Sequence, residues 1–161
     1  MNKAWILIIS IALIATSLAA FLYYKYRVAP SIELATLQLE TLDNIPVNTN
    51  SFKGEKVAVC FFATWCGACI KELPSLENAQ HELRQRPTHF FLVSDEPIEV
   101  LKKFESRHNV SITILHCLIE LKKLGVVTYP TAYVFDSSGQ IIYSKTGETN
   151  WNSKQNLSLL W

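Results

Sequence analysis

The stretch Val57-Ala58-Val59-Cys60-Phe61-Phe62-Ala63-Thr64-Trp65-Cys66-Gly67-Ala68-Cys69-Ile70-Lys71-Glu72-Leu73-Pro74 decides the fold. Its first six residues are uninterruptedly apolar and rich in β-branched and aromatic side chains, which predicts a central strand covered on both faces. A helix is expected from Cys66 to Gln85, with Pro74 kinking it because proline cannot donate a backbone hydrogen bond. Two cysteines three apart therefore stand where a strand hands over to a helix. Such a pair arises by chance often enough that its context carries the argument.

Downstream, His89–Val93 reads as another buried strand. Pro97–His108 reads as a helix with Ile98, Val100, Leu101 and Phe104 at helical spacing, and Ile112–Leu115 as a short strand. Leu118–Leu124 is expected to be a short helix stopped by Gly125. Thr131–Phe135 reads as a strand closed by the turn Asp136-Ser137-Ser138-Gly139, against which Ile141–Lys145 pairs back before a last helix over 150–160. Upstream, Val28–Gln38 alternates apolar residues after Pro30 and leads through Asn44, Pro46, Asn48 and Asn50 to Lys53-Gly54-Glu55-Lys56, a β-hairpin entry. Strands alternating with helices and ending in a hairpin and a helix describe a three-layer α/β domain around a mixed sheet.

Before this body, residues 4–24 carry no charge, and a helix of that length spans about 31 Å, the thickness of a hydrocarbon core. Trp5, Tyr23, Tyr24 and Tyr26 lie near its ends, where interfacial aromatics belong. The expected organisation is a membrane anchor over residues 1–27 and one folded domain over 28–161. Ser17-Leu18-Ala19 offers small residues for signal cleavage, but the apolar run continues past it, which favours retention. Lys3 stands before the span and Lys25 and Arg27 after it, a bias towards an internal body that the α-amino group evens out. The whole chain has 161 residues, 49% hydrophobic and 18% charged, with a net charge of +1. That composition excludes a disordered or repeat protein and carries no nucleic-acid footprint.

With its Trp65-Cys66-Gly67-Ala68-Cys69 core, the Lys71-Glu72-Leu73-Pro74 continuation and Tyr129-Pro130-Thr131 ahead of a later strand, the body from about Ser31 to Trp161 resembles the thioredoxin superfamily. More narrowly it is similar to the membrane-tethered TlpA/ResA/CcmG-like thiol-disulfide oxidoreductases. The resemblance implies a thioredoxin-like α/β/α fold and a cis Tyr129-Pro130 bond. The 61 residues from Cys69 to Pro130 match the branch with an inserted element. It implies a dithiol chemistry with no cofactor: Cys66 as nucleophile, Cys69 as resolving thiol, and the pair closing into a redox-active disulfide. Trp65 would cover the site, and the Tyr129 backbone would pair with an extended substrate strand. It also implies protein disulfides as substrates, apocytochrome c cysteines among them, a membrane electron transporter as reductant, and a body facing the periplasm. Reduction is the implied direction; an oxidant or isomerase is the rival, since Gly67-Ala68 does not set the potential.

Glu72 matches a glutamate of that branch associated with proton transfer, while an exposed helical glutamate is the plain alternative. Cys60 occupies the place where thioredoxins carry a buried aspartate, so the proton acceptor of the resolving cysteine is in doubt here. Buried cysteines usually serve as small apolar side chains. His116-Cys117 could bind a metal or supply a third thiol, against core packing. A structural zinc site at Cys66 and Cys69 lacks a second ligand pair, and copper delivery calls for a wider cysteine spacing, so no metal is expected.

Overall fold

The computed structural model describes residues 3–83 and 86–161, without the side chains of residues 4 and 24–27. The apolar leader forms helix α1 (Lys3–Arg27). Its Trp5–Tyr23 stretch has a mean hydropathy of 2.5 and contributes nothing to the folded interior, so it is long and apolar enough to cross a membrane. Tyr24, Lys25, Tyr26 and Arg27, expected at the interface, have side chains outside the described set.

Seven strands form one sheet: β1 (Leu39–Thr41), β2 (Pro46–Val47), β3 (Lys56–Phe61), β4 (Thr88–Ser94), β5 (Thr113–Cys117), β6 (Thr131–Phe135) and β7 (Ile141–Thr146), in the spatial order β2-β1-β5-β4-β3-β6-β7. β3, β4 and β5 run parallel, joined by crossovers through α2 (Gly67–Leu83) and α3 (Ile98–His108); β1, β6 and β7 run antiparallel at the flanks. β3 lies near the middle because Val57–Phe61 can be buried on both faces, and all five residues are. The chain ends in a short helix, α4 (Lys154–Leu159).

Side chains alternate across β3. Ala58 and Cys60 join Leu76, Ala79 and Leu83 of α2, Leu101 and Phe104 of α3, and Trp151 on one face. Val57, Val59 and Phe61 face Ile32, Leu34, Leu37, Leu121 and Val126 on the other. Helices thus cover the first face, while the layer over the second is built from chain 29–37 and the 3-10 turns Leu34–Thr36, Thr49–Phe52 and Leu121–Leu124.

Several sequence expectations shift. Within 28–38, Ile32, Leu34 and Leu37 are buried without forming a strand, because a 3-10 turn lays them across the sheet; the entry hairpin is β1–β2, turning at Asn44 with φ 60°. The expected 118–124 helix shrinks to the 3-10 turn Leu121–Leu124, because β5 extends through Cys117 and pairs Cys117 with Leu39. Gly125 does stop that turn, at φ 82°. The last helix begins at Lys154, where Ser153 accepts the Asn156 N–H as its cap. α2 starts at Gly67, so Cys66 caps it, and the expected end at Gln85 lies outside the described residues.

Candidate active site

Because β3, β4 and β5 are parallel, their C-terminal ends gather at one edge of the sheet, and β6 begins there. The loop after β3 turns at Ala63, whose carbonyl accepts the Cys66 N–H at 3.0 Å, and α2 opens with the Ile70 N–H bonded to the Cys66 carbonyl at 3.1 Å. The first N–H groups of a helix have no partner within it. The Cys66 sulfur takes one of them, accepting the Cys69 N–H at 3.1 Å. Cys66 and Cys69 are joined in a disulfide, with Cα atoms 5.2 Å apart, and both residues are buried.

Opposite the pair, the Tyr129-Pro130 peptide bond is cis. The Pro130 carbonyl accepts the Gly147 N–H at 2.7 Å, and the Thr131 hydroxyl donates to the Thr128 carbonyl at 2.7 Å, which fixes the start of β6. Trp65, next to the buried Cys66, is 73% exposed, and its ring stands edge-on to Tyr129 at 5.9 Å. Burial, and then the carboxylates of Asp95 and Glu96, push the Tyr129 phenol up to about 12.

Glu72 is not the exposed helical glutamate of the alternative reading: it is 4% exposed. Its Oε1 accepts the Trp151 indole N–H at 2.7 Å and the Thr149 N–H at 3.3 Å, while Oε2 is buried with no hydrogen bond among the described residues. Desolvation dominates and raises its carboxyl to about 7; the two hydrogen bonds and Lys145 oppose this, and Glu148 adds to it. Cys60, one strand layer beneath, is fully buried, and its thiol is held well above the ordinary range by burial and then by the Glu72 charge. Cys117 is buried on the opposite face, and His116 Nδ1 pairs with Glu40 Oε1 at 2.8 Å. Among the described residues no group of three His, Cys, Asp or Glu side chains could hold a metal ion.

The sequence reading missed Glu96. It grips the loop before the cysteines with both oxygens: Oε2 accepts the Thr64 N–H at 2.6 Å and Oε1 the Thr64 hydroxyl at 2.8 Å. The Ser94 hydroxyl adds a weaker bond to Oε2 at 3.3 Å. Its neighbour Asp95 accepts the Leu121 N–H at 2.8 Å. The only available signal was position, two acidic residues just past the end of a central parallel strand, where α/β sheets build their sites.

The family model described as Redoxin matches residues 27–158. The chain is 29% identical over 110 residues to the thioredoxin-like protein YneN of Bacillus subtilis, covering 64% of this chain and 63% of that protein. It is 24% identical over 154 residues to the thiol-disulfide oxidoreductase ResA of Halalkalibacterium halodurans, covering 91% and 88%. Several of the matches, YneN among them, span just under two thirds of the relative's length. The crystal structure of a thiol:disulfide interchange protein of the thioredoxin family from Chlorobium tepidum superimposes with a TM-score of 0.66 at 23% identity, over 82% of this chain and 97% of that one, which establishes the thioredoxin-like fold; that of StoA from Bacillus subtilis does so with a TM-score of 0.66 at 20% identity, over 81% of this chain and all of that one.

Proposed function

This chain belongs to the Redoxin family, and from that premise we propose that it is a membrane-anchored thiol-disulfide oxidoreductase reducing selected protein disulfides through Cys66 and Cys69. The observation that carries the reading is the Cys66–Cys69 disulfide at the mouth of α2 beside the cis Tyr129-Pro130 bond. The named relatives, thiol-disulfide oxidoreductases among them, support it.

In the reduced protein, the helix N–H that meets the Cys66 sulfur and the positive end of α2 favour its thiolate, the attacking form. That thiolate attacks one sulfur of a substrate disulfide; a mixed disulfide forms, and the other substrate sulfur leaves as a thiolate and takes a proton. The Cys69 thiol, deprotonated, then attacks the Cys66 sulfur, which forms the Cys66–Cys69 bond and releases the second substrate thiol. Two electrons pass to the substrate. Glu72, one turn beyond Cys69 on α2, titrates near neutrality and takes the proton that Cys69 gives up. Cys60 cannot, because its thiol is harder still to ionise. Trp65 and the Tyr129 backbone provide the flanks on which an extended substrate segment rests.

The body works outside the cytoplasmic membrane, held by α1, in the compartment where disulfides persist, the periplasm of a double-membraned cell. Apocytochrome c cysteines are the proposed substrate, and a membrane electron transporter re-reduces the pair. Equilibration of the protein against a dithiothreitol series measures the potential. A reductase lies well towards thioredoxin's value of about −270 mV, and a value near about −120 mV overturns the direction in favour of an oxidant.

A further inference from the structure

Where the anchor joins the body bears on which partners the site can meet. α1 runs to Arg27, and only Val28 and Ala29 separate it from Pro30. Pro30 is already seated: its carbonyl accepts the buried Tyr133 hydroxyl at 2.8 Å. Its ring lies so close to Gly125 that a side chain there would begin 3.0 Å from it. Ala29 packs on the same core, and Ile32 is buried. Val28 and Pro30 line a crevice of about 10 Å³ with Gly125, Thr128, Thr131 and Thr146.

Those residues belong to the catalytic end of the sheet. Thr131 follows the cis Pro130 and pairs with Phe61, the last residue of β3, and with Thr146 of β7. The seat of the tether and the Cys66–Cys69 pair therefore share one pole, on opposite faces of the sheet, with the turn Asp136–Gly139 at the far pole.

Four helical residues beyond the apolar span and three extended steps place Pro30 at most about 17 Å from the hydrocarbon boundary. A body of this size is about 36 Å across. The tether has no slack to turn the far pole inward while Pro30 stays seated.

We propose that the Val28–Pro30 seat holds the catalytic end against the bilayer surface, so that the pair reacts faster with a disulfide held at the membrane surface than with the same disulfide free in the compartment. This rests on α1 being retained as an anchor.

The test uses the full chain in phosphatidylcholine–phosphatidylglycerol vesicles, reduced, and one aromatic disulfide presented two ways, free in water and attached by a short spacer to a lipid headgroup. A Gly-Ser insertion of about twenty residues between Arg27 and Val28 should leave the rate with the free probe unchanged, which reports an intact site. It should lower the rate with the lipid-bound probe about tenfold, because the effective concentration falls roughly as the −3/2 power of tether length. An insertion that leaves both rates unchanged in a chain that floats with the vesicles overturns this inference alone. A chain that does not float, or has lost its leader by mass, overturns the anchor reading and the inference with it.

Discussion

On the face of the sheet covered by α2, α3 and α4, the buried layer contains a free thiol, Cys60, and a carboxyl, Glu72, one oxygen of which finds no hydrogen bond among the described residues. On the opposite face the buried polar groups are answered locally. The Tyr133 hydroxyl donates to Pro30, and the Cys117 thiol, though raised by burial, is bonded by the Ile119 N–H. Both layers are otherwise built from the same aliphatic and aromatic side chains. A buried unpaired polar group costs roughly 1–3 kcal/mol. A fold that satisfies such groups on one face and leaves them on the other keeps them where the disulfide lies, and departures from consistency of that kind mark working sites.

The largest test of this asymmetry exchanges cysteines. Cys66→Ser should abolish disulfide exchange, because a serine hydroxyl stays protonated where the thiol would ionise. Cys69→Ser should accumulate mixed disulfides visible on non-reducing gels, since nothing resolves them. Cys117→Ser, on the satisfied face, should leave the exchange rate as it is; a loss there would erase the distinction between the faces.

Next in size is the loop clamp. Removing both Glu96 oxygens frees Thr64, two residues before Cys66, and misplacement of that order costs about 10–100-fold in rate. Glu96→Ala should therefore slow exchange with a model disulfide by about that factor in stopped-flow measurements. Glu96→Gln, which keeps an oxygen for Thr64, should recover most of it. Equal losses in the two variants would point to the charge rather than the grip.

Glu72 gives a signed pH dependence. Its carboxyl titrates near 4.5 in the unfolded chain and about 7 in the folded one, so between those values the folded state holds the extra proton. Stability is therefore greatest below pH 4.5 as far as this group is concerned and falls as pH rises through 7, by about 3 kcal/mol. Glu72→Gln should flatten that part of the urea-denaturation profile and leave the variant more stable than the parent at pH 8. A parent profile that rises across this window would mean that Glu72 stays ionised in the fold.

These groups also separate what the sequence disclosed from what it could not. Val57–Phe62 and Thr131–Phe135 were legible as strands because a doubly covered strand must be apolar throughout, and the cysteine pair because a motif is local. The cis state of Tyr129-Pro130 came only from the resemblance, since proline by itself favours trans. The burial of Glu72 was hidden: its cover is Trp151, 79 residues later, and a glutamate in a helix otherwise reads as surface. The Thr64–Glu96 grip spans 32 residues and has no local signature. The 28–38 segment misled for the opposite reason, because alternation that suits a strand also suits an irregular chain laid across a sheet.

The smallest effect belongs to the two buried free thiols, which the comparison sets on different faces. Removing either sulfur by Cys60→Ala or Cys117→Ala should cost about 1 kcal/mol, as for other small losses from a packed core. The distinguishing readout is the Glu72 titration followed by NMR of its carboxyl carbon. The Cys60 thiol is neutral at every pH where Glu72 titrates, because burial and the Glu72 charge both hold its proton on. A neutral group exerts no net charge on its neighbour, so Cys60→Ala should move the Glu72 midpoint by less than about 0.3 units, under half a kcal/mol. Cys117→Ala should not move it at all. An upward shift of a full unit in Cys60→Ala would show that the thiol hydrogen-bonds the ionised carboxylate, and the helix-covered face would then be as fully answered as the other.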